Sequence, residues 1–259
     1  MKKGWIGYAL LGAAFYLVFL LAAVPAAWFA WGLARATQGV VSLSAPVGSI
    51  WSGSGALVVH RAPEPPRQLG RVSWGVNPLW LVTGRLGLGA ALEVAGGGEA
   101  RGRVRLGVGS IVVRDLSASF AAQILPSLYS PAALLDPKGR VDVRAEELLL
   151  DRANVSGRAE INWQGAATSL SSVQPLGDYR LIFEGQGASA AVRLETLSGE
   201  LDLNGAGQWQ VQTGQLNFNG TAAARSRAEE LGTLLRLMGP DQGGGRHAFS
   251  IQKVLLPGQ

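Results

Sequence analysis

Proton transfer near neutral pH calls for a histidine or for a carboxylate whose pKa has been shifted. The chain has two histidines, His60 and His247, far apart and each beside an arginine. It has no cysteine, so it offers neither a thiolate nucleophile nor a thiolate metal site, and two histidines alone do not make a transition-metal site. The carboxylates Asp115, Asp142, Asp151, Glu146, Glu147 and Glu160 fall on polar strand faces or in turns, where solvation is the ordinary role of an acid. Gly96-Gly97-Gly98 and Gly243-Gly244-Gly245 do not open a helix after a strand, so neither reads as a phosphate loop. These residue types assign no catalytic, cofactor or metal site and call for no cofactor. The functions left are binding and assembly, and they depend on the surfaces the chain builds.

Most of the chain is patterned as strands. Leu201-Asp202-Leu203-Asn204, Gln208-Trp209-Gln210-Val211 and Gln215-Leu216-Asn217-Phe218-Asn219 alternate apolar with polar residues. Successive side chains on a strand point to opposite faces, so Leu201, Leu203, Trp209, Val211, Leu216 and Phe218 share one apolar face. Gly205-Ala206-Gly207 and Thr213-Gly214 read as turns, which makes this segment a three-stranded antiparallel meander. Ile111-Val112-Val113 and Leu116-Ser117-Ala118 read as a hairpin, and 140–144 and 158–163 continue the alternation. On the order of ten to twelve short strands are expected. Helices are few. Ser226 to Glu229 fits a capping box ahead of Leu231, Leu234, Leu235 and Met238, and Asn77-Pro78 suits a single turn holding Trp80. Two more short helices are expected around Pro126.

An apolar sheet face must be covered. A second sheet, the few helices, or a lipid or partner protein are all physically possible covers. A closed sandwich and an open hydrophobic groove both remain consistent with the pattern.

From Gly4 to Ala34 there is no charged side chain; Lys2 and Lys3 precede the run and Arg35 follows it. About 20 apolar residues cross a bilayer core, and Trp5, Tyr8, Trp28 and Trp31 lie where head groups would meet such a helix. A cleaved signal peptide is the rival reading, with small residues around Pro25, but its apolar core is only about 7–15 residues long. The expected organisation is residues 1–3 in the cytoplasm, 4–34 as one transmembrane helix, and 35–259 as a β-rich domain on the far side. Net charge is +5, from 23 basic and 18 acidic residues, and Lys2, Lys3 and Arg35 flank the anchor. The exported part is therefore nearly balanced and has no stripe suited to nucleic acid.

Directly after the anchor comes Val47-Gly48-Ser49-Ile50-Trp51-Ser52-Gly53-Ser54-Gly55, then Val72-Ser73-Trp74-Gly75-Val76-Asn77-Pro78-Leu79-Trp80-Leu81. Gly139-Arg140-Val141, Leu176-Gly177-Asp178-Tyr179 and Leu197 to Gly205 follow in order. In this arrangement the chain resembles protein N of the bacterial type II secretion system along essentially its whole length. The most specific elements are Gly48-x-x-Trp51-x-Gly53 and Trp74-x-x-x-Pro78. The resemblance implies a non-catalytic inner-membrane protein of a Gram-negative bacterium, with its bulk in the periplasm. Its implied partners are other secretion subunits, in the inner-membrane platform or the secretin. The family is similar, more distantly, to AsmA-like periplasmic β-groove proteins, which implies lipid as an alternative ligand. Physically, the motif glycines suit a tight turn with an indole packed over it, and Trp74 and Trp80 suit plugs at one end of the sheet.

Overall fold

A computed structural model describes residues 11–12, 15–16, 19–20, 22–60, 65–77, 85–128 and 130–254. The chain forms helix α1 (Ala26–Ala36), strands β1 (Val41–Gly48), β2 (Ser52–Val59), β3 (Arg67–Asn77), β4 (Leu86–Val94), β5 (Gly98–Gly107) and β6 (Ser110–Ala121), and the short helix α2 (Leu125–Leu128). It continues as β7 (Lys138–Asp151), β8 (Val155–Ala167), β9 (Gly177–Gly187), β10 (Ser189–Gly199), β11 (Leu201–Gln210), β12 (Gln215–Ala224), helix α3 (Ala228–Met238) and β13 (Arg246–Val254). The 13 strands make one sheet in sequence order, each antiparallel to its neighbours. Inter-strand spacings of ~4.8 Å make the path from β1 to β13 roughly 58 Å along the sheet. A single sheet replaces the sandwich that the alternation also allowed.

Register shows why the sheet is two-faced. Residues directly opposite each other on paired strands share a face. One such row runs Gly55, Val72, Leu92, Ala100, Ala118, Val143, Ile161, Leu181, Leu194, Gly205, Gly220 and Phe249, from β2 to β13, without a polar side chain. A parallel row runs Val76, Leu88, Val104, Val113, Leu148, Gly157, Gly185, Ala190, Trp209 and Leu216, and meets a charge only at Lys253 on β13. The other face carries Arg71, Glu93, Glu99, Ser119, Asp142, Asn162, Arg180 and Glu195 in a row of its own.

Several local expectations change. Ile111–Val113 and Leu116–Ala118 are one strand, β6, rather than a hairpin. Val113 and Leu116 are three positions apart, which a regular strand would place on opposite faces. A bulge resolves this: Asp115 and Leu116 together oppose Gly102, with Asp115 at φ 51°. The next strand carries a bulge at the same level, with Glu146 and Glu147 opposing Arg158. Gly205-Ala206-Gly207 is the middle of β11 and not a turn. A Cβ on Gly205 would lie 2.6 Å from the Phe218 ring, so this glycine makes room for an aromatic side chain lying flat across β11. The Ser226 capping box does not form. Arg227 is the N-cap residue, in the left-handed region, and its guanidinium pairs with Glu230 at 2.6 Å.

The N-terminal apolar run is divided at proline. Helical backbone ends at Ala22, and Pro25 makes an isolated bridge to Ser49 before α1 begins. The Ile50 N–H donates to the Val24 carbonyl at 2.9 Å, which ties this break to the β1–β2 turn. Much of the expected spanning helix lies outside the described residues, as do Pro78 and Trp80. Among the described residues no helix is long and apolar enough to cross a membrane.

Candidate functional site

The apolar face is covered at its two ends, by different devices. At the β1 end, α1 lies on it through Ala26, Phe29, Ala30 and Leu33, packed against Leu43, Leu57, Val72 and Trp74. Trp74 is 5% exposed and holds this contact together. Its ring stacks on Phe29 at 4.5 Å and 11°, and its indole N–H donates to the Ser49 carbonyl at 3.3 Å. The underside of the indole rests on Gly53, where a Cβ would meet the ring at 2.6 Å. Gly48, at φ 99°, makes the tight β1–β2 turn; a Cβ there would lie 2.5 Å from the Ser52 carbonyl oxygen. The motif glycines thus seat the indole of Trp74 rather than that of Trp51, which is half-buried and contributes its carbonyl to the Val76 N–H at 2.6 Å.

At the other end, α3 covers β8–β13. Leu231, Leu234 and Leu235 pack on Ala166, Tyr179, Leu201 and Ala222, together with Val173 and Leu176 from the β8–β9 connection. The Tyr179 hydroxyl donates to the Leu201 carbonyl at 2.9 Å, and burial pushes its pKa up, so the side chain stays a neutral phenol. Asp178 next to it accepts from the Ser198 hydroxyl at 2.6 Å and the Gly165 N–H at 2.7 Å. Those two bonds, the Ser198 one first, hold its carboxyl below the usual range.

The six residues that sequence alternation places on one face do share it, but they separate into distinct clusters. Leu201 and Leu203 belong to the core beneath α3. Trp209, Val211 and Leu216 cluster with Val155, Ala190 and Phe183, and the Trp209 indole donates to the Gly214 carbonyl at 3.1 Å. Phe218 stacks on Phe249 at 6.2 Å. Phe218 is 5% exposed, because its ring lies over Gly205 and Gly207 instead of standing up from the sheet.

The stretch that remains open is the middle. Among the described residues α1 packs mainly on β1 and β2 and reaches Leu88 of β4, and the 3-10 turn Ala122–Ile124 packs on β7, where Val141 and Ala145 are buried, so the stretch left open lies around Leu106 and Ile111. There Leu106 and Ile111 face one another and are 38% and 42% exposed. Val104, Val113, Leu116, Leu148 and Leu150 are half-buried beside them. Sequence reading missed these residues as a surface because glycines and the two bulges break their alternation. The signal that remained was the paired Val104/Leu106 and Ile111/Val113. This face has hydrogen-bonded backbone beneath and aliphatic side chains above. It can take up an apolar partner, and it offers no group to do chemistry on one.

The opposite face holds a depression of about 850 Å3 at the bulges, lined by Arg101, Asp115, Arg144, Glu146, Glu147, Arg158 and Glu160 among others. Four ion pairs lie in and around it: Arg103 with Asp115, Arg114 with Glu147 at 2.5 Å, Arg158 with Glu184 at 3.1 Å and Arg180 with Glu160 at 3.0 Å. Among the described residues no three His, Asp or Glu side chains gather where they could hold a metal. His60 hydrogen-bonds Ser42 at 2.7 Å, and His247 hydrogen-bonds the Gly239 carbonyl at 2.9 Å, at opposite ends of the sheet.

The family model for "Type II secretion system (T2SS), protein N" matches residues 39–250, from just after α1 into the last strand. The chain belongs to that family. As a protein N, it is a component of the apparatus for type II secretion, and the match takes in the β1–β2 turn, the open middle and the α3-covered end alike. No curated protein matches the chain, and no solved structure does.

Proposed function

We propose that this chain is a non-catalytic subunit of the type II secretion system. One helix anchors it in the inner membrane, with its N-terminus in the cytoplasm and its sheet in the periplasm. The open apolar stretch around Leu106 and Ile111 binds another component of the apparatus during export of folded proteins. Family membership supports the apparatus role. The uncharged run from Gly4 to Ala34, flanked by Lys2 and Lys3, supports the anchor and its orientation. The observation that carries the binding role is the uncovered middle of an otherwise unbroken apolar face. Exposed apolar patches of roughly a few hundred Å2 on a monomer are commonly functional, and Leu106 and Ile111 mark the exposed part of this one.

A second reading is favoured by one feature. The rows crossing β4–β7 carry no polar side chain, so a ligand seated there needs no hydrogen-bonding groups, as an acyl chain does not. Periplasmic lipid binding therefore stands as the alternative. The pair Leu106→Lys with Ile111→Glu separates the two readings. These residues face each other, so the new charges neutralise one another and the sheet stays paired. The double variant is expected to fold, to lose co-purification with other secretion subunits, and to reduce export of a secreted enzyme. Loss of co-purifying lipid with the protein partners retained would transfer the face to the lipid reading.

A further inference from the structure

α1 is apolar on both sides. The side toward the sheet carries Ala26, Phe29, Ala30 and Leu33. At 100° per residue, Trp28, Trp31 and Arg35 are centred about 180° away. Trp28 and Trp31 are 62% and 61% exposed, with their rings edge to face at 6.3 Å. The Arg35 guanidinium lies 5.9 Å from the Trp31 ring centre. A helix that is apolar all round is normally covered all round, yet among the described residues nothing covers this side. The apolar segment before it ends at Pro25, which is fastened to the β1–β2 turn. On that segment Leu11, Phe15, Tyr16, Phe19 and Leu20 are likewise exposed.

We propose that α1 lies flat on the periplasmic surface of the bilayer, sandwiched between lipid head groups and the sheet, with Trp28 and Trp31 in the head-group layer and Arg35 against lipid phosphate. This rests on the anchor reading above and goes beyond it: the bilayer-spanning part ends before Pro25, and the residues up to Ala34 serve as an in-plane elbow. Tryptophan favours the interface because its ring is apolar and its N–H polar, and a nearby arginine suits anionic phosphate. The Phe29–Trp74 stack makes the elbow rigid on its other side. It follows that the apolar face of β1–β3, and not the polar one, is turned toward the membrane, and that the open stretch begins beside the bilayer.

The test uses the full chain in vesicles of phosphatidylethanolamine and phosphatidylglycerol that contain phosphatidylcholine brominated either near the head group or near the bilayer centre. Bromine quenches tryptophan at its own depth. Quenching by the shallow bromines is expected to exceed that by the deep ones, and Trp28→Phe with Trp31→Phe is expected to remove most of the shallow component. Both residues are exposed, so this variant folds. Shallow quenching unchanged by the double substitution, in a protein that resists alkaline carbonate extraction, would overturn the proposal while leaving the anchor intact. Extraction with shallow quenching retained would remove the spanning helix but support the surface contact. Extraction with no quenching would remove both.

Discussion

Replacing Trp74 with alanine is expected to release α1 from the sheet. The indole is sandwiched, with Phe29 on one side and Gly53 on the other. Truncating a buried tryptophan costs about 3–5 kcal/mol. The estimate is consistent with its parts. Burying an aromatic of about 150–250 Å2 at ~25 cal/mol/Å2 gives about 4–6 kcal/mol, an upper bound because the unfolded chain is itself compact. The stack adds about 0.5–1.5 kcal/mol and the bond to Ser49 about 1 kcal/mol. Relaxation of α1 into the vacated space recovers part of this. The α1 cluster is separate from the α3 cluster, so the loss is expected locally, as opening of α1 and β1–β3, before global unfolding. Hydrogen exchange on the full chain in detergent reads it directly. Protection in α1 and β1 should fall by a factor of about one hundred to several thousand, which corresponds to the stated range at about 1.4 kcal/mol per tenfold. Protection in β9–β12 should hold. Trp74→Phe keeps the stack and should lose only about 1–2 kcal/mol. A change below about 1 kcal/mol for the alanine variant would mean that the indole does not hold α1 on the sheet, since truncation of a buried, packed aromatic costs about 3–5 kcal/mol.

Four further outcomes are expected. Gly220→Ala places a Cβ 2.4 Å from the Phe249 ring and 2.7 Å from the Asn204 carbonyl oxygen, and should lower stability by about 1–3 kcal/mol in urea unfolding. Gly75→Ala meets nothing within 4 Å and should stay within about 0.5 kcal/mol of wild type. Leu216→Asp with Phe218→Asp should unfold the β8–β13 region, seen as a lost thermal transition by circular dichroism, because Phe218 is 5% exposed and an unpaired carboxylate there costs several kcal/mol. Asp178 is held below its ordinary 3.8, so the stability it contributes is present above that value and is lost as pH falls through the folded pKa. Wild type should therefore lose more stability than Asp178→Asn as the pH falls below about 4, and identical pH profiles would rule out the Ser198 and Gly165 bonds as a source of stability.

The strand character of the chain was legible because period-two alternation is a local property, and Leu216 to Phe218 shows it without interruption. Two kinds of position hid the rest. The bulges at Asp115 and at Glu146-Glu147 shift the alternation by one residue, so that β6 reads as two strands although its apolar side chains keep one face. Glycines within β11 read as a turn, yet they accommodate the Phe218 ring, which lies down on the sheet from the neighbouring strand, a tertiary effect with no local signature. The apolar face itself was expected, but which part stays open was not. That depends on where α1 and α3 dock, and hence on Trp74 and Leu231, far in sequence from the open residues. The aromatic motif was visible as residue types, while which indole the turn seats was not, because that follows from the pairing that brings Trp74 directly opposite Gly53.

The proposed contact surface within the secretion apparatus is the open apolar stretch around Leu106 and Ile111. The most direct measurement is photo-crosslinking in secreting cells, with benzoylphenylalanine at Ile111 on the open face and at Asn217 on the polar face. A discrete protein adduct that contains another type II secretion component is expected from position 111, and none from position 217. Adducts from position 217 alone, or from position 111 to lipid alone, would contradict it.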